Sequence, residues 1–274
     1  MSKLSVFFDS GAYSAWSQGA EINLEEYADY IRANIEEIEV YANLDCIPGT
    51  RGKAATAKEK EDAAQKSWDN YLWLRGEGFN PLPVYHYGES RKWLDKMLDY
   101  GCDYIGLGGL VKKPAPDQRK WLDSVFSDIC DKDGLPIVKT HGFGITNLAF
   151  LFRYPWHSVD STSWHIYVRY GWVTVPRVNK DGVLLFDQPP MLISPSSDPR
   201  AIRYAKSKHL IRQSPLIKQA LYDWLEMCEV TLEEVSESSQ ARAKCVVRFF
   251  QEISKLKETK PTRFHAPRRR GILT

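Results

Sequence analysis

Cysteine is scarce in this chain, and its spacing excludes the common kinds of zinc site. The five cysteines are widely scattered, at Cys46, Cys102, Cys130, Cys228 and Cys245. A zinc ligand set usually needs two cysteines a few residues apart, and no pair here has that spacing. We therefore expect no structural zinc. Most of the cysteines are expected to be small buried residues in a reducing compartment.

Long apolar runs are also missing. No stretch approaches the roughly 20 apolar residues of a membrane-spanning helix. The N-terminal sequence MSKLSVFFDSG has too short an apolar run for a signal peptide. Hydrophobic residues still make up 43% of the 274 residues, so the chain can bury a large core. These features predict a cytoplasmic globular protein with no membrane partner.

A short apolar run that ends in polar residues recurs along the first part of the chain. The runs are SVFFDSG (5–11), EVYANLDCIPG (39–49), LPVYHYGES (82–90), YIGLGGL (104–110), PIVKTHGFG (136–144) and HSVDSTSW (157–164). The segments between these runs have the apolar spacing of amphipathic helices. One such helix has an apolar face made by Leu24, Tyr27, Ala28, Ile31, Ile35 and Ile38, and further helices are expected within 58–76, 93–98, 121–129 and 145–152. This alternation predicts parallel strands with crossover helices, in either a (β/α)8 barrel or an open doubly wound sheet.

Two observations favour the barrel. Polar residues follow the strands, where barrel enzymes carry their chemistry. The GxGxxG fingerprint is missing after the first strand, and GLGGL is a poor substitute because Leu107 and Leu110 interrupt it. We predict an irregular TIM-like (β/α)8 barrel in one domain, residues 1–257, followed by a basic C-terminal tail, 258–274.

The pattern changes after residue 165. Two β-rich runs in 172–187 surround Asn179-Lys180-Asp181-Gly182, which predicts a β-hairpin insertion. Extra C-terminal helices are expected near 199–209, 214–228 and 238–257. In the last of these, one stripe is expected to face the core; it consists of Cys245, Phe249, Ile253 and Leu256.

Positive charge is concentrated in two places, although the net charge of the chain is only +2. Residues 255–274 carry a net charge of +6, and the run 199–222 contains no acidic residue. The basic residues of interest are Arg200, Arg203, Lys206, Lys208 and Arg212 in the run, and Arg268, Arg269 and Arg270 in the tail. Two interpretations stay open: a solvated surface with a frayed tail, or a surface that binds nucleic-acid phosphates.

The polar residues at the predicted strand ends form one candidate site. They are Asp9, Ser10, Asn43, Asp45, His86, Gly108, Gly109, His141, Asp160 and Ser161. Any one of the acids alone is more often a helix cap. Together they predict carboxylate chemistry without a metal, since no tight ligand spacing such as HxH occurs, although paired aspartates also suit a divalent ion.

Paired carboxylates on a barrel rim are suited to cleaving a glycosidic bond. One attacks the anomeric carbon and the other protonates the leaving group, about 5–5.5 Å away in retaining enzymes. Gly108 and Gly109 would let a flat ligand approach the backbone, because no side chain intervenes.

Several of these segments resemble the tRNA-guanine transglycosylases, which exchange guanine for a 7-deazaguanine base. FDSGAYS is similar to the family's TDSGGFQ, IGLGGLV to its LGGL, and VDSTSW to the FDSASY form of the nucleophile segment in the archaeal branch. The resemblance spans roughly residues 5–165, with the segments in the family's order. It implies a base-exchange glycosyltransferase that needs no cofactor and uses a free 7-deazaguanine base as its small-molecule substrate.

The resemblance assigns a role to each matching residue. Asp160 would be the nucleophile that attacks the sugar C1′, and Asp9 the general acid and base for the departing and incoming bases. Asp45 would read the N1/N2 edge of guanine, and His86 stands where the family usually has a glutamine that contacts the base carbonyl. The rest of the base pocket would consist of the backbone of Gly108, Gly109 and Leu110, with Tyr13 and His141.

The chain departs from the tRNA-acting members in one respect, because it has no zinc subdomain with closely spaced cysteines and a histidine. A zinc-free form resembles the DNA-modifying branch, in which bacteriophage enzymes place 7-deazaguanines in DNA and so protect the genome from restriction. The expected partner is then DNA, with the target guanosine flipped into the barrel. A viral protein of this kind would act in the host cytoplasm.

Other interpretations stay open. In one alternative the protein catalyses the same reaction on tRNA. In another it is a non-catalytic accessory subunit that binds nucleic acid, although the presence of Asp9, Asp45 and Asp160 disfavours that role. A hydrolase acting on a nucleoside would turn over without an incoming deazapurine. Relatives in this superfamily often dimerise, so a homodimer is also expected.

Overall fold

Short parallel strands alternate with helices through the first half of the chain. The computed structural model describes residues 6–111, 113–145 and 147–266, and its fold is mixed α/β. Each predicted strand region contains a strand: β1 (Val6–Phe8), β2 (Ile38–Tyr41), β3 (Val84–His86), β4 (Tyr104–Gly108), β5 (Lys139–Gly142) and β6 (Ser158–Val159).

The parallel strands follow one another in chain order. β1 pairs with β2, and β3, β4, β5 and β6 form a second parallel set. A parallel bridge between Ala42 and Leu82 links the two sets, and the Asn43 N–H donates to the Leu82 carbonyl at 2.8 Å. A doubly wound sheet would reverse its strand order at a switch point, and this order does not reverse.

The parallel strands also curl toward one another. The ring of Phe7 on β1 stacks on the imidazole of His141 on β5, with centroids 4.1 Å apart. β1 and β5 are not neighbours in the strand order, so this contact crosses the concave side of the strands. Polar groups at their carboxyl ends are thereby brought around a common opening.

Helices connect these strands. They are α1 (Ala12–Gln18), α2 (Leu24–Asn34), α3 (Ala57–Gly76), α4 (Arg91–Asp99), α5 (Ala115–Ile129), α6 (Leu148–Arg153) and α7 (Trp164–Arg169). The start of α2 is fixed by the Asn23 side chain, which accepts the Glu25 N–H at 2.8 Å. Thr56 and Glu59 form a reciprocal capping box at the start of α3.

The predicted helical face ending at Ile35 and Ile38 was too long. α2 ends at Asn34, Ile35 is exposed, and Ile38 is the first residue of β2. The turn between α2 and β2 is only three residues long, so the first apolar residue of the strand also falls at helical spacing from the last apolar residues of the helix. Short helices α1 and α7 were not predicted at all.

The second half of the chain contains antiparallel pairs. β7 (Val173–Val175) pairs with β10 (Met191–Ile193), and β8 (Arg177–Val178) pairs with β9 (Leu184–Leu185). Between β8 and β9 the Asn179 N–H donates to the Val183 carbonyl at 3.0 Å, and Gly182 has a φ of +85°. The predicted β-hairpin is thus confirmed.

The predicted C-terminal helices are confirmed as well. They are α8 (Pro199–Ala205), α9 (Pro215–Met227) and α11 (Ser239–Thr259), with an unpredicted short helix α10 (Leu232–Glu237) between the last two. α11 buries Cys245, Phe249 and Ile253 in the main core, and it packs against β7 and α7. No helix of the described ranges is long and apolar enough to cross a membrane.

The chain beyond α11 returns to the core. Phe264 is buried, its N–H donates to the Gly134 carbonyl at 2.9 Å, and its ring lies 5.9 Å from that of Phe126. A Cβ on Gly134 would lie 2.4 Å from the Phe264 carbonyl oxygen, so the contact requires glycine there. Within the stretch predicted as a basic tail, Phe264 is therefore packed against the core, while Lys260 and Arg263 are exposed. Arg268, Arg269 and Arg270 lie outside the described residues.

Candidate active site at the strand ends

The carboxyl ends of the parallel strands bring the predicted acids and histidines together. Asp9 follows β1, Asp45 lies beyond β2, His86 ends β3, and Asp160 follows β6. The carboxyl groups of Asp9, Asp45 and Asp160 are close enough to influence one another electrostatically. This arrangement results directly from the parallel strand order, because parallel strands end at one edge.

Asp160 is held as an accessible carboxylate. Its Oδ1 accepts the Gly144 N–H at 2.7 Å and lies 3.7 Å from His141 Nε2. Partial burial alone would raise the pKa of Asp160, but the neighbouring imidazole and the Gly144 N–H outweigh it and hold that pKa below its usual range. The side chain remains 42% exposed. Asp160 is therefore an ionised carboxylate that solvent can reach.

His141 supports Asp160 and presents no open surface to a base. Its Nδ1 lies 2.5 Å from Ser158 Oγ, and that hydroxyl lies 2.5 Å from the Tyr104 hydroxyl. Phe7 stacks on one face of the ring, and Phe143 packs edge-on at 4.4 Å. These contacts surround the imidazole of His141, which was predicted to bind the base, and its Nε2 faces the Asp160 carboxylate.

The pKa of Asp9 is shifted in the opposite direction from that of Asp160. The carboxyl group of Asp9 is partly buried, and the negatively charged side chains of Asp160 and Asp45 lie nearby. These effects raise the pKa of Asp9, although the backbone N–H groups of Gly11 and Ser10 act against them. The turn that brings those groups close needs glycine, since Gly11 has a φ of +71°. Asp9 therefore keeps a proton more readily than its neighbour Asp160 does.

Asp45 lies deeper in the site. Its Oδ1 accepts a hydrogen bond from Asn43 Nδ2 at 2.9 Å, and its Oδ2 lies 3.4 Å from His86 Nε2. Burial raises the pKa of Asp45, while His86 and Asn43 counteract part of that effect. Asn43 is itself fixed, because its amide also donates to the Ser67 carbonyl at 2.8 Å.

Glu89 is a member of the site that the sequence did not identify. Its Oε1 lies 3.1 Å from His86 Nδ1, and its Oε2 accepts the His86 backbone N–H at 2.9 Å. Burial alone would lower the pKa of His86, but Asp45 and Glu89 together raise it to about 10. His86 is therefore an imidazolium at neutral pH. An acid three residues after the histidine, in HYGE, was the available signal.

Two glycines lie at the carboxyl end of β4: Gly108 is its last residue and Gly109 follows it. Gly109 is exposed with a φ of +73°, and a Cβ there would lie 3.0 Å from the Tyr87 backbone nitrogen. A Cβ on Gly108 would lie 3.0 Å from the His86 ring. The Leu110 side chain is buried in the core, so Leu110 can contribute only backbone groups. Tyr13 is exposed on α1, where its ring lies 5.8 Å from that of Trp16.

A groove of about 790 Å³ opens beside β6 and reaches Asp160. This volume is typical of ligand sites. Val159, Trp164 and Phe250 contribute apolar lining, and Lys257 contributes a partly buried amine whose Nζ donates to the Leu151 carbonyl at 2.9 Å. Burial lowers the pKa of Lys257 to about 8. The groove therefore borders Asp160, whereas Asp9, Asp45 and His86 are not among its lining residues.

Five of the predicted basic residues lie on α8 and the turns that follow it. Arg200, Arg203, Lys206, Lys208 and Arg212 are all exposed on α8 and the two 3₁₀ turns that follow it. Arg200 is paired with Asp198, with Nη2 2.9 Å from Oδ2. Within the described ranges, no three Cys, His, Asp or Glu side chains are arranged to hold a metal ion.

Comparison of the chain with models of known protein families and with curated protein sequences gives no match.

Proposed function

We propose that this protein is a guanine transglycosylase that exchanges guanine in DNA for a 7-deazaguanine base. The observation that carries the proposal is the opposite pKa shift of two neighbouring carboxyls, lowered for Asp160 and raised for Asp9. Two carboxyls with separated pKa values are the usual mark of a nucleophile and a general acid. The motif resemblance assigns the same two roles to the same two residues.

The proposed architecture is an irregular TIM-like barrel. The parallel strands run in chain order, the contact between Phe7 and His141 crosses their concave side, and the candidate site lies at their carboxyl ends. Active sites of TIM barrels lie at that end of the strands. The antiparallel pair β7–β10 and helix α11 would complete the irregular part of the wall.

The first half of the proposed reaction forms a covalent intermediate. The Asp160 carboxylate attacks C1′ of the target deoxyguanosine, a C1′–O bond forms, and the C1′–N9 bond breaks. The electron pair of that bond leaves with guanine, which takes a proton from Asp9. The raised pKa of Asp9 favours this step, because the group must carry its proton when the base departs.

The second half reverses the chemistry with a different base. Asp9, now ionised, accepts the N9 proton of the incoming 7-deazaguanine, and N9 displaces Asp160 from C1′. Two displacements retain the configuration at C1′. His141 and the Gly144 N–H stabilise Asp160 when its charge returns, since both lie against the same carboxylate oxygen.

Asp45 and His86 suit the recognition of a guanine edge. The Asp45 carboxylate can accept the N1 and N2 hydrogens, because an ionised acid pairs well with two N–H donors. His86 stands where related enzymes have a glutamine that contacts the base carbonyl, and here its Nε2 lies 3.4 Å from Asp45 Oδ2 and fixes that carboxylate. The exposed backbone of Gly109 provides the neighbouring wall. Adenine would be rejected here, because it offers neither the N1 hydrogen nor the carbonyl.

Nucleoside mass spectrometry tests the proposal. The protein is incubated with a cyano-7-deazaguanine base and either DNA or tRNA, with Asp160→Asn as the inactive control. A deazaguanosine in the DNA digest that is absent with the control supports the proposal. The same product in tRNA alone would move the substrate to tRNA. No exchange in either, with nucleic-acid binding retained, would favour the accessory role, and release of guanine without an incoming base would indicate a hydrolase.

A further inference from the structure

Two aromatic rings lie near each other beside α8, and an exposed tyrosine is close to them in the chain. Tyr170, just after α7, is 70% exposed, and Tyr204 on α8 is 78% exposed. Trp172 is half-buried between them in the chain, and its ring centroid lies 6.5 Å from that of Tyr204. Tyrosine and tryptophan rings left in water at this density are typical of binding surfaces.

The same face carries positive charge without matching acids. Lys208 Nζ lies 5.8 Å from the centroid of the Trp172 ring, and Arg203 directly precedes Tyr204. In the part of the chain that the structure describes, Arg203, Lys206, Lys208 and Arg212 form no ion pair; of the basic residues on α8 and its following turns, Arg200 alone does, with Asp198. Unpaired cations beside exposed rings fit a polyanion that also has flat apolar surfaces.

The face is tied closely to the nucleophile by the chain. Asp160 and Tyr170 are separated by three linking residues and the six-residue helix α7. Standard backbone dimensions limit their Cα separation to roughly 25 Å. A strand with its target nucleotide at Asp160 can therefore reach this face with its next few nucleotides.

We propose that Tyr170, Trp172 and Tyr204 form a stacking face for unpaired nucleic-acid bases, with Arg203, Lys206 and Lys208 holding the phosphates. A duplex hides the faces of its bases and offers only edges and phosphates, whereas a single strand presents faces that aromatic side chains can cover. The inference names the form of nucleic acid bound, and it rests on the proposed function only for the idea that the target base lies at Asp160.

Fluorescence anisotropy tests the stacking face. Labelled single strands of about 12 nucleotides, within the range bound by single-strand sites, are compared with the matched duplex. The variants are Tyr170→Ala with Tyr204→Ala, the double Phe variant at both positions, and Tyr222→Ala as a control from an exposed tyrosine on α9. Circular dichroism verifies that each variant is folded.

The double Ala variant is expected to lose at least about 30-fold in single-strand affinity, because each stacked ring contributes roughly 1 kcal/mol or more. The double Phe variant and Tyr222→Ala should bind as the wild type does, and duplex affinity should change less than about twofold in every variant. Quenching of Trp172 fluorescence by the single strand should disappear in Trp172→Phe. Equal losses for strand and duplex, or unchanged single-strand affinity in the double Ala variant, would overturn the proposal.

These measurements need no incoming base and no turnover. Single-strand binding that depends on the stacking face would therefore stand even if base exchange were absent, and exchange without such binding would refute only the stacking face. The two proposals can fail separately.

Discussion

The pair of carboxylates around His86 leads to a prediction whose size can be worked out. The pKa of His86 is raised from 6.5 to about 10, and the side chain is 19% exposed. Each pKa unit corresponds to about 1.4 kcal/mol, so the imidazolium is stabilised by roughly 5 kcal/mol in the folded state. Glu89 and Asp45 share that effect. In Glu89→Gln we therefore expect the pKa of His86 to fall to roughly 8, a change of about 2–3 kcal/mol.

The pH dependence of stability follows from the sign of this shift. Because the folded pKa of His86 is raised, its contribution is fully present below pH 6.5 and is lost as the pH rises toward about 10. In Glu89→Gln the loss should be complete near pH 8. The assays are NMR titration of the His86 ring and urea unfolding at several pH values, with Glu233→Gln, an exposed acid on α10, as the matched control.

A His86 ring that titrates near 6.5 in the wild type would refute this reasoning, and so would a titration in Glu89→Gln that matches the wild type. The first result would mean that the two carboxylates do not stabilise the cation. The second would mean that Asp45 alone does so, and that Glu89 only accepts the backbone N–H.

Four further predictions follow from the same structure. Asp160→Asn should abolish both exchange and the covalent adduct seen on denaturing gels, with unchanged thermal unfolding; an adduct in this variant would disprove the nucleophile assignment. The rate of exchange should fall at low pH, where Asp160 is protonated below the usual range of an aspartate. It should also fall at high pH, where Asp9 loses its proton above that range. A rate that does not change between roughly pH 3 and pH 9 would contradict both shifts. Phe264→Ala should lower the free energy of unfolding by about 3–5 kcal/mol, the usual cost of removing a buried phenylalanine, whereas the exposed Tyr222→Ala should cost little. Removing residues 267–274, which include three arginines, should reduce the salt slope of duplex binding by up to roughly 3; an unchanged slope would show that this segment makes no phosphate contacts.

The strands and the acids at their ends could be predicted because both depend on local sequence. An apolar run buried in a parallel sheet must stop where the chain meets water, and the next polar residue then lies at the rim. This rule located Asp9, Asp45, His86 and Asp160 without any knowledge of their contacts. Helix boundaries were less predictable, as Ile38 shows, because one apolar residue fits either period.

The support around the acids could not be predicted, because it joins residues that are distant in sequence. Nothing in the sequence distinguishes Ser158 from other serines. The pairing of β5 with β6 places its hydroxyl between Tyr104 and His141. Glu89 resembled an ordinary acid before a helix. Phe264 lies among arginines in the sequence of the predicted tail, and nothing local indicates its contact with Gly134.

The contact between Phe264 and Gly134 has a consequence for how the molecule is made. Synthesis proceeds from the N-terminus, so every strand of the candidate site exists well before Phe264 is available to cover the turn before β5. Arg263 strengthens the same closure, since its guanidinium donates to the Asp133 carbonyl at 2.9 Å across 130 residues of chain. Contacts that close such long loops usually form late and act mainly on the unfolding rate. Phe264→Ala should therefore shorten the lifetime of the native state while leaving the refolding rate nearly unchanged. The C-terminal segment then stabilises the protein mainly by slowing its unfolding.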